Sequence, residues 1–208
     1  MSDFVDLVLR RNRGWPWPED SWGLTPMFGE DGWCRSCGVP NRPQCGSMVL
    51  QRRGMSSTEG AWIPNWQFDA LCLSARLAAE VEAAGFLLPT LPVVWPRSEP
   101  VGAVQVVAPV VASAWFDRTA LEEATTARHG SSGAACSECG VWRWFPLASA
   151  RMPPYQLPAI PDDVHVAASP EWFGDGWKAF RQLVVRRAVA ELIVHSSPRD
   201  FRVEELPA

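Results

Sequence analysis

Two short units, Cys34-Arg35-Ser36-Cys37-Gly38 and Cys136-Ser137-Glu138-Cys139-Gly140, constrain this chain more than any other feature in it. A Cys-x-x-Cys turn aims two sulfurs at one point. The glycine that follows tolerates the backbone geometry of the turn and lets amide N–H groups approach the thiolates. Two such units supply four soft ligands, which matches the closed tetrahedral shell of a structural zinc ion with sulfur at about 2.3 Å. Cys34, Cys37, Cys136 and Cys139 are therefore expected to hold one structural Zn2+. Ninety-eight residues separate Cys37 from Cys136, a separation that a split zinc ribbon tolerates because loop-closure cost rises only logarithmically with length. Other readings stay open: redox-active dithiol pairs, inert buried thiols, or a ligand set in which Cys45 or His129 replaces one member. Cys72, between Leu71 and Leu73, reads as core.

Around these units the pattern is that of an α+β chain with a mixed or antiparallel sheet and three main helices, read as one zinc-clipped domain over residues 1–208. Hydrophobic residues make up 47% of the sequence, enough for a sizeable core. Phe4 to Leu9, Met48 to Gln51, Val141 to Phe145, Val164 to Ala167 and Phe201 to Leu206 have strand character. Trp62 to Leu73 suggests a strand or a turn with buried aromatics, and Val101 to Val111 a strand pair broken near Pro109. Ser74 to Gly85 and Asp117 to His129 carry helical spacing with capping residues at both ends. The apolar stripe from Trp177 to Val194 predicts the longest helix. The Pro-rich stretch with Pro89, Pro92, Pro96 and Pro100 reads as loop or edge structure.

Composition bounds function. The formal net charge is −4, which does not suit a general polyanion binder. Arg10, Arg11 and Arg13 form a local basic cluster; a zinc-ribbon nucleic-acid module would use it, but nearby acids favour a solvated face. No nucleophile elbow, phosphate loop or paired-histidine metal motif is present, so a non-enzymatic role is expected. An enzyme would need a pocket gathering His129, His165 or His195 with carboxylates. The opening residues carry no leader pattern and the 177–194 stretch is interrupted by charges, so a cytoplasmic protein is expected. Twelve tryptophans exceed what one core needs. Trp15 and Trp17, in a Trp-Pro-Trp-Pro loop, and Trp142 and Trp144, on one strand face, are candidate contacts for a protein partner, with core closure as the alternative.

The two Cys-x-x-Cys-Gly units, the entry Ser169-Pro170-Glu171-Trp172-Phe173 and the ending Ser197-Pro198-Arg199-Asp200-Phe201 make the chain similar to the double-CXXCG-motif proteins. Some members of that family are immunity proteins, encoded beside a polymorphic toxin that they neutralise inside the producing cell. The resemblance implies a non-enzymatic toxin binder with zinc as scaffold.

Overall fold

A computed structural model of the chain describes residues 3–207. In chain order it contains β1 (Phe4–Leu9), β2 (Trp15–Pro16), α1 (Leu24–Phe28), β3 (Met48–Gln51), β4 (Ala61–Trp62), β5 (Cys72–Ser74) and α2 (Ala75–Ala83). There follow β6 (Thr90–Val94), β7 (Pro100–Val106), α3 (Arg118–His129), β8 (Gly133–Ala135) and β9 (Trp142–Trp144). The chain closes with β10 (Val166–Ala168), β11 (Trp172–Phe173), β12 (Leu183–Arg186), α4 (Arg187–Ser196) and β13 (Phe201–Glu204). This is an α+β architecture, and its strands divide among three sheets, not one.

The first sheet has the order β10-β12-β1-β13 and is antiparallel throughout. Its register places Val5 opposite Val185 and Leu9 opposite Phe201, so the first strand of the chain lies between strands from the last quarter. The second, β2-β3-β6-β7-β5-β4, is antiparallel except for the β3–β6 pair. The third is the small sheet β11-β9-β8, in which β11 runs parallel to β9.

Helix signals in the sequence act where expected for α2 and α3. Ser74 Oγ accepts from Leu77 N–H and Asp117 Oδ1 from Ala120 N–H, each satisfying one orphan donor of a first turn. Gly130, in the left-handed conformation, ends α3. Beneath α2 and α4 lies one core, in which Val5, Leu73, Leu77, Val185, Val189, Ile193 and Phe201 are essentially inaccessible. Each such side chain is worth roughly 1.5–3 kcal/mol of burial. A second core gathers Phe4, Trp115, Phe116, Leu121, Trp144 and Phe173. A third packs Met27, Met48, Leu50, Trp62 and Val93 between α1 and the six-stranded sheet.

Three sequence expectations are corrected. The stretch from Trp177 to Val194 is not one helix: its middle is β12, and α4 begins only at Arg187. The run Leu183-Val184-Val185 finds partners on both sides, in β1 and β10, and that pairing outweighs helical periodicity in a segment apolar enough for either state. The Pro-rich stretch contributes β6, an inner strand, which is possible because β3 covers only Val93 and Val94 and leaves Pro92 unpaired on that side. Arg13 is buried, not part of a solvated face: its guanidinium donates to the carbonyls of Ser57, Glu59 and Ala61 and, with Arg11, faces Asp200. The resemblance anchors also have packing roles. Buried Ser197 Oγ accepts from Ala61 N–H at 2.6 Å, and buried Ser169 Oγ accepts from Gln182 N–H at 3.2 Å.

Candidate metal centre

The two knuckles fold as the same turn. In the first, Cys34 N–H donates to Val39 O at 2.9 Å and Gly38 N–H to Cys34 O at 2.8 Å. In the second, Cys136 N–H donates to Val141 O and Gly140 N–H to Cys136 O, both at 2.9 Å. Gly38 and Gly140 have φ of 74° and 71°, the left-handed region in which a side chain is strained. The first knuckle lies between α1 and β3, and the second is the turn of the β8–β9 hairpin.

These turns bring the four sulfurs together. Their Sγ atoms all lie within 4.8 Å of one another; Cys34 and Cys136 are 3.7 Å apart, and Cys37 and Cys139 3.6 Å. A tetrahedral shell with sulfur at about 2.3 Å requires edges of about 3.8 Å, so the spacing fits a metal ion. It is far from the roughly 2.05 Å of a disulfide, and all four thiols are free. Cys34, Cys37 and Cys136 are buried and Cys139 is exposed. Neither open alternative joins them: Cys45 Sγ rests against Met27 O at 3.6 Å, and His129 Nε2 lies 2.8 Å from Pro146 O. Cys72 is fully buried, as expected for core.

The thiols are electrostatically unequal. Backbone N–H groups of Cys139 and Glu138 draw the Cys136 thiol down to about 6. Burial pushes Cys34 and Cys37 up. A divalent cation would reverse that cost, because coordination deprotonates a thiol outright. The side chain of Arg143 in β9 ties the centre to its surroundings. It donates to Cys37 O at 3.2 Å, Gly176 O at 2.7 Å and Lys178 O at 3.3 Å, joining the second knuckle's hairpin to the first knuckle and to the 174–178 loop. Trp172 in β11, opposite Arg143, and Ala179 pack on the knuckles from that side.

The candidate partner residues separate. Trp15, Trp17 and Trp142 are exposed, Trp15 on the edge strand β2. Trp144 is buried in the second core beneath Trp142, which removes it as a contact residue; a shared strand face here points inward at one end. Sequence reasoning missed Trp22, Trp66, Trp177 and Lys178, which meet in one cleft although three separate loops carry them. No local spacing announces such a convergence.

His165 packs edge-on against Phe86, its pKa lowered by burial, and His195 lies in the last turn of α4. Two clefts, of about 410 and 460 Å³, share Arg181, and neither is lined by a histidine. No helix among the described residues is long and apolar enough to cross a membrane.

No family model matches the chain, and no curated protein matches it.

Proposed function

We propose that the chain is a zinc-stabilised, non-enzymatic binding protein whose two knuckles form a split zinc ribbon, and that it acts by stoichiometric contact with another protein. The four-sulfur geometry carries this reading. A shell of four cysteines leaves no coordination position for water or substrate, which is the pattern of structural rather than catalytic zinc. Two further observations support it. Arg11 and Arg13 are engaged with Asp200, so the basic cluster that a nucleic-acid module would need is largely consumed internally. Exposed tryptophans on an acidic chain suit a basic protein surface, through hot-spot burial and electrostatic steering.

The particular partner we propose is a toxin made in the same cell, neutralised in the cytoplasm by this protein. The motif resemblance supports that choice. Co-expression with the toxin candidate encoded beside this gene is expected to restore growth and to yield a stoichiometric complex on purification. Absence of both rescue and complex would contradict it.

A further inference from the structure

We propose that the cleft walled by Trp22, Trp66 and Trp177 is a docking site for a lysine side chain from a basic segment of the protein partner, with Lys178 as the internal occupant which that lysine displaces. The proposal rests on the protein-binding reading and specifies its surface.

The cleft is open, with a volume of about 600 Å³. Trp22 stands edge-to-face on Trp66, ring centroids 5.1 Å apart and planes at 62°. Trp177, which also lines the cleft, is 43% exposed. The rim is acidic: Glu19, Asp20 and Asp175 are all exposed. Tryptophan offers the best aromatic face for a cation, and carboxylates around it attract one from a distance. The molecule shows this chemistry on itself. Lys178 is the single lysine among 208 residues, and its Nζ lies 3.5 Å from the centroid of the Trp66 ring.

The backbone sets the two ring positions, Trp22 by ending the short helical turn of residues 19–21 with its N–H on Glu19 O. Trp22 (φ 50°) and Trp66 (φ 70°) both occupy the left-handed region, a true outlier for bulky side chains and one that concentrates at functional positions. The side chain of buried Gln67, next to Trp66, donates to Trp22 O at 2.8 Å. Residues beside the two knuckles fix the Trp177 wall: Trp33, next to Cys34, packs against Trp177 at 6.1 Å between ring centroids, and Arg143 holds the carbonyls of Gly176 and Lys178.

The occupant follows from shape and charge. A second open cleft, of about 480 Å³, shares Glu19 and Trp22 with the first, lacks its acidic rim residues Asp20 and Asp175, and is lined further by Trp15, Pro16, Gln51 and Arg53. Two adjoining open clefts suit a side chain presented on an extended polypeptide better than a small free cation, which needs enclosure on most sides.

The test uses the full chain and two blocked peptides, one carrying several lysines spaced by glycine and one with glutamine at those positions. Indole N–H resonances report binding. The lysine peptide is expected to move the Trp22, Trp66 and Trp177 signals at low salt, and the glutamine peptide to leave them in place. Lys178→Gln, which vacates the Trp66 face, is expected to bind the lysine peptide about fivefold more tightly, and Trp66→Leu to lose binding. Should Trp66→Leu fail to fold, Asp20→Asn combined with Asp175→Asn must weaken binding in its place. Equal shifts with both peptides, shifts only at other indoles, or unchanged affinity in Lys178→Gln would overturn the site. A partner complex that forms while the three indole signals stay fixed overturns the docking site but leaves the binding function standing. Lysine-peptide shifts without any toxin complex overturn the toxin assignment instead.

Discussion

Gly38 and Gly140 occupy the same place in two copies of one turn, yet their surroundings differ. A Cβ on Gly140 meets nothing within 4 Å, whereas one on Gly38 would lie 2.3 Å from Trp177 O. Alanine at either position incurs the left-handed backbone cost of roughly 1–2 kcal/mol. Gly140→Ala is expected to lose about that much in denaturant titration. Gly38→Ala should lose more, because the 174–178 loop must also move; equal losses would show that the close approach to Trp177 does not matter. A second residue-scale prediction concerns Asp69. Burial pushes its carboxyl up to about 6 from an ordinary 3.8, although Arg181 N–H donates to it at 3.0 Å. A raised carboxyl holds its proton more tightly in the folded state. Its contribution is therefore fully present below pH 3.8 and is lost as pH rises through about 6. Asp69→Asn keeps an oxygen for the Arg181 N–H and cannot ionise. It should flatten this fall and gain at most roughly 3 kcal/mol above the upper value. Denaturation midpoints of both proteins on either side of that value check it, and parallel pH profiles would exclude Asp69 as the source.

At the scale of elements, what was legible in the sequence depended on how local the signal was. The helices α2 and α3 carry their own caps in Ser74, Asp117 and Gly130, and β1 and β3 carry β-branched and apolar runs; all four lie where the sequence places them. The knuckles were legible for the same reason, since each ligand pair lies within one turn. The segment 177–194 was not, because its apolar residues fit a helix face or a buried strand equally well and the choice falls to partners outside it, β10 and, far away in the chain, β1. The five-residue α1 has no capping side chain to announce it. The element that a metal held by the four cysteines would support most directly is the small sheet β8-β9-β11, whose hairpin turn is itself a knuckle. Chelation under reducing conditions is expected to remove amide-exchange protection first from β8, β9 and the 174–178 loop. The sheet of β10, β12, β1 and β13, closed over Val5, Val185 and Phe201, should retain it longer. Uniform loss across both sheets would show that the metal stabilises the whole fold at once.

For the whole molecule, two long-range clips organise the chain. One is β1, drawn from the N-terminal end into a sheet of C-terminal strands. The other is the four-sulfur centre, joining residues 102 positions apart. Structural zinc contributes on the order of 10–16 kcal/mol in small peptides, at or above the typical stability of a domain, so the second clip can set how firmly the exposed aromatic surface is presented. Cys139→Ser would test the clip indirectly; X-ray absorption on the purified, reduced full chain tests it directly. The account predicts one zinc per chain with four sulfur neighbours at about 2.3 Å and no light-atom ligand. A chain without stoichiometric metal, or a shell containing nitrogen or oxygen in place of one sulfur, would contradict it.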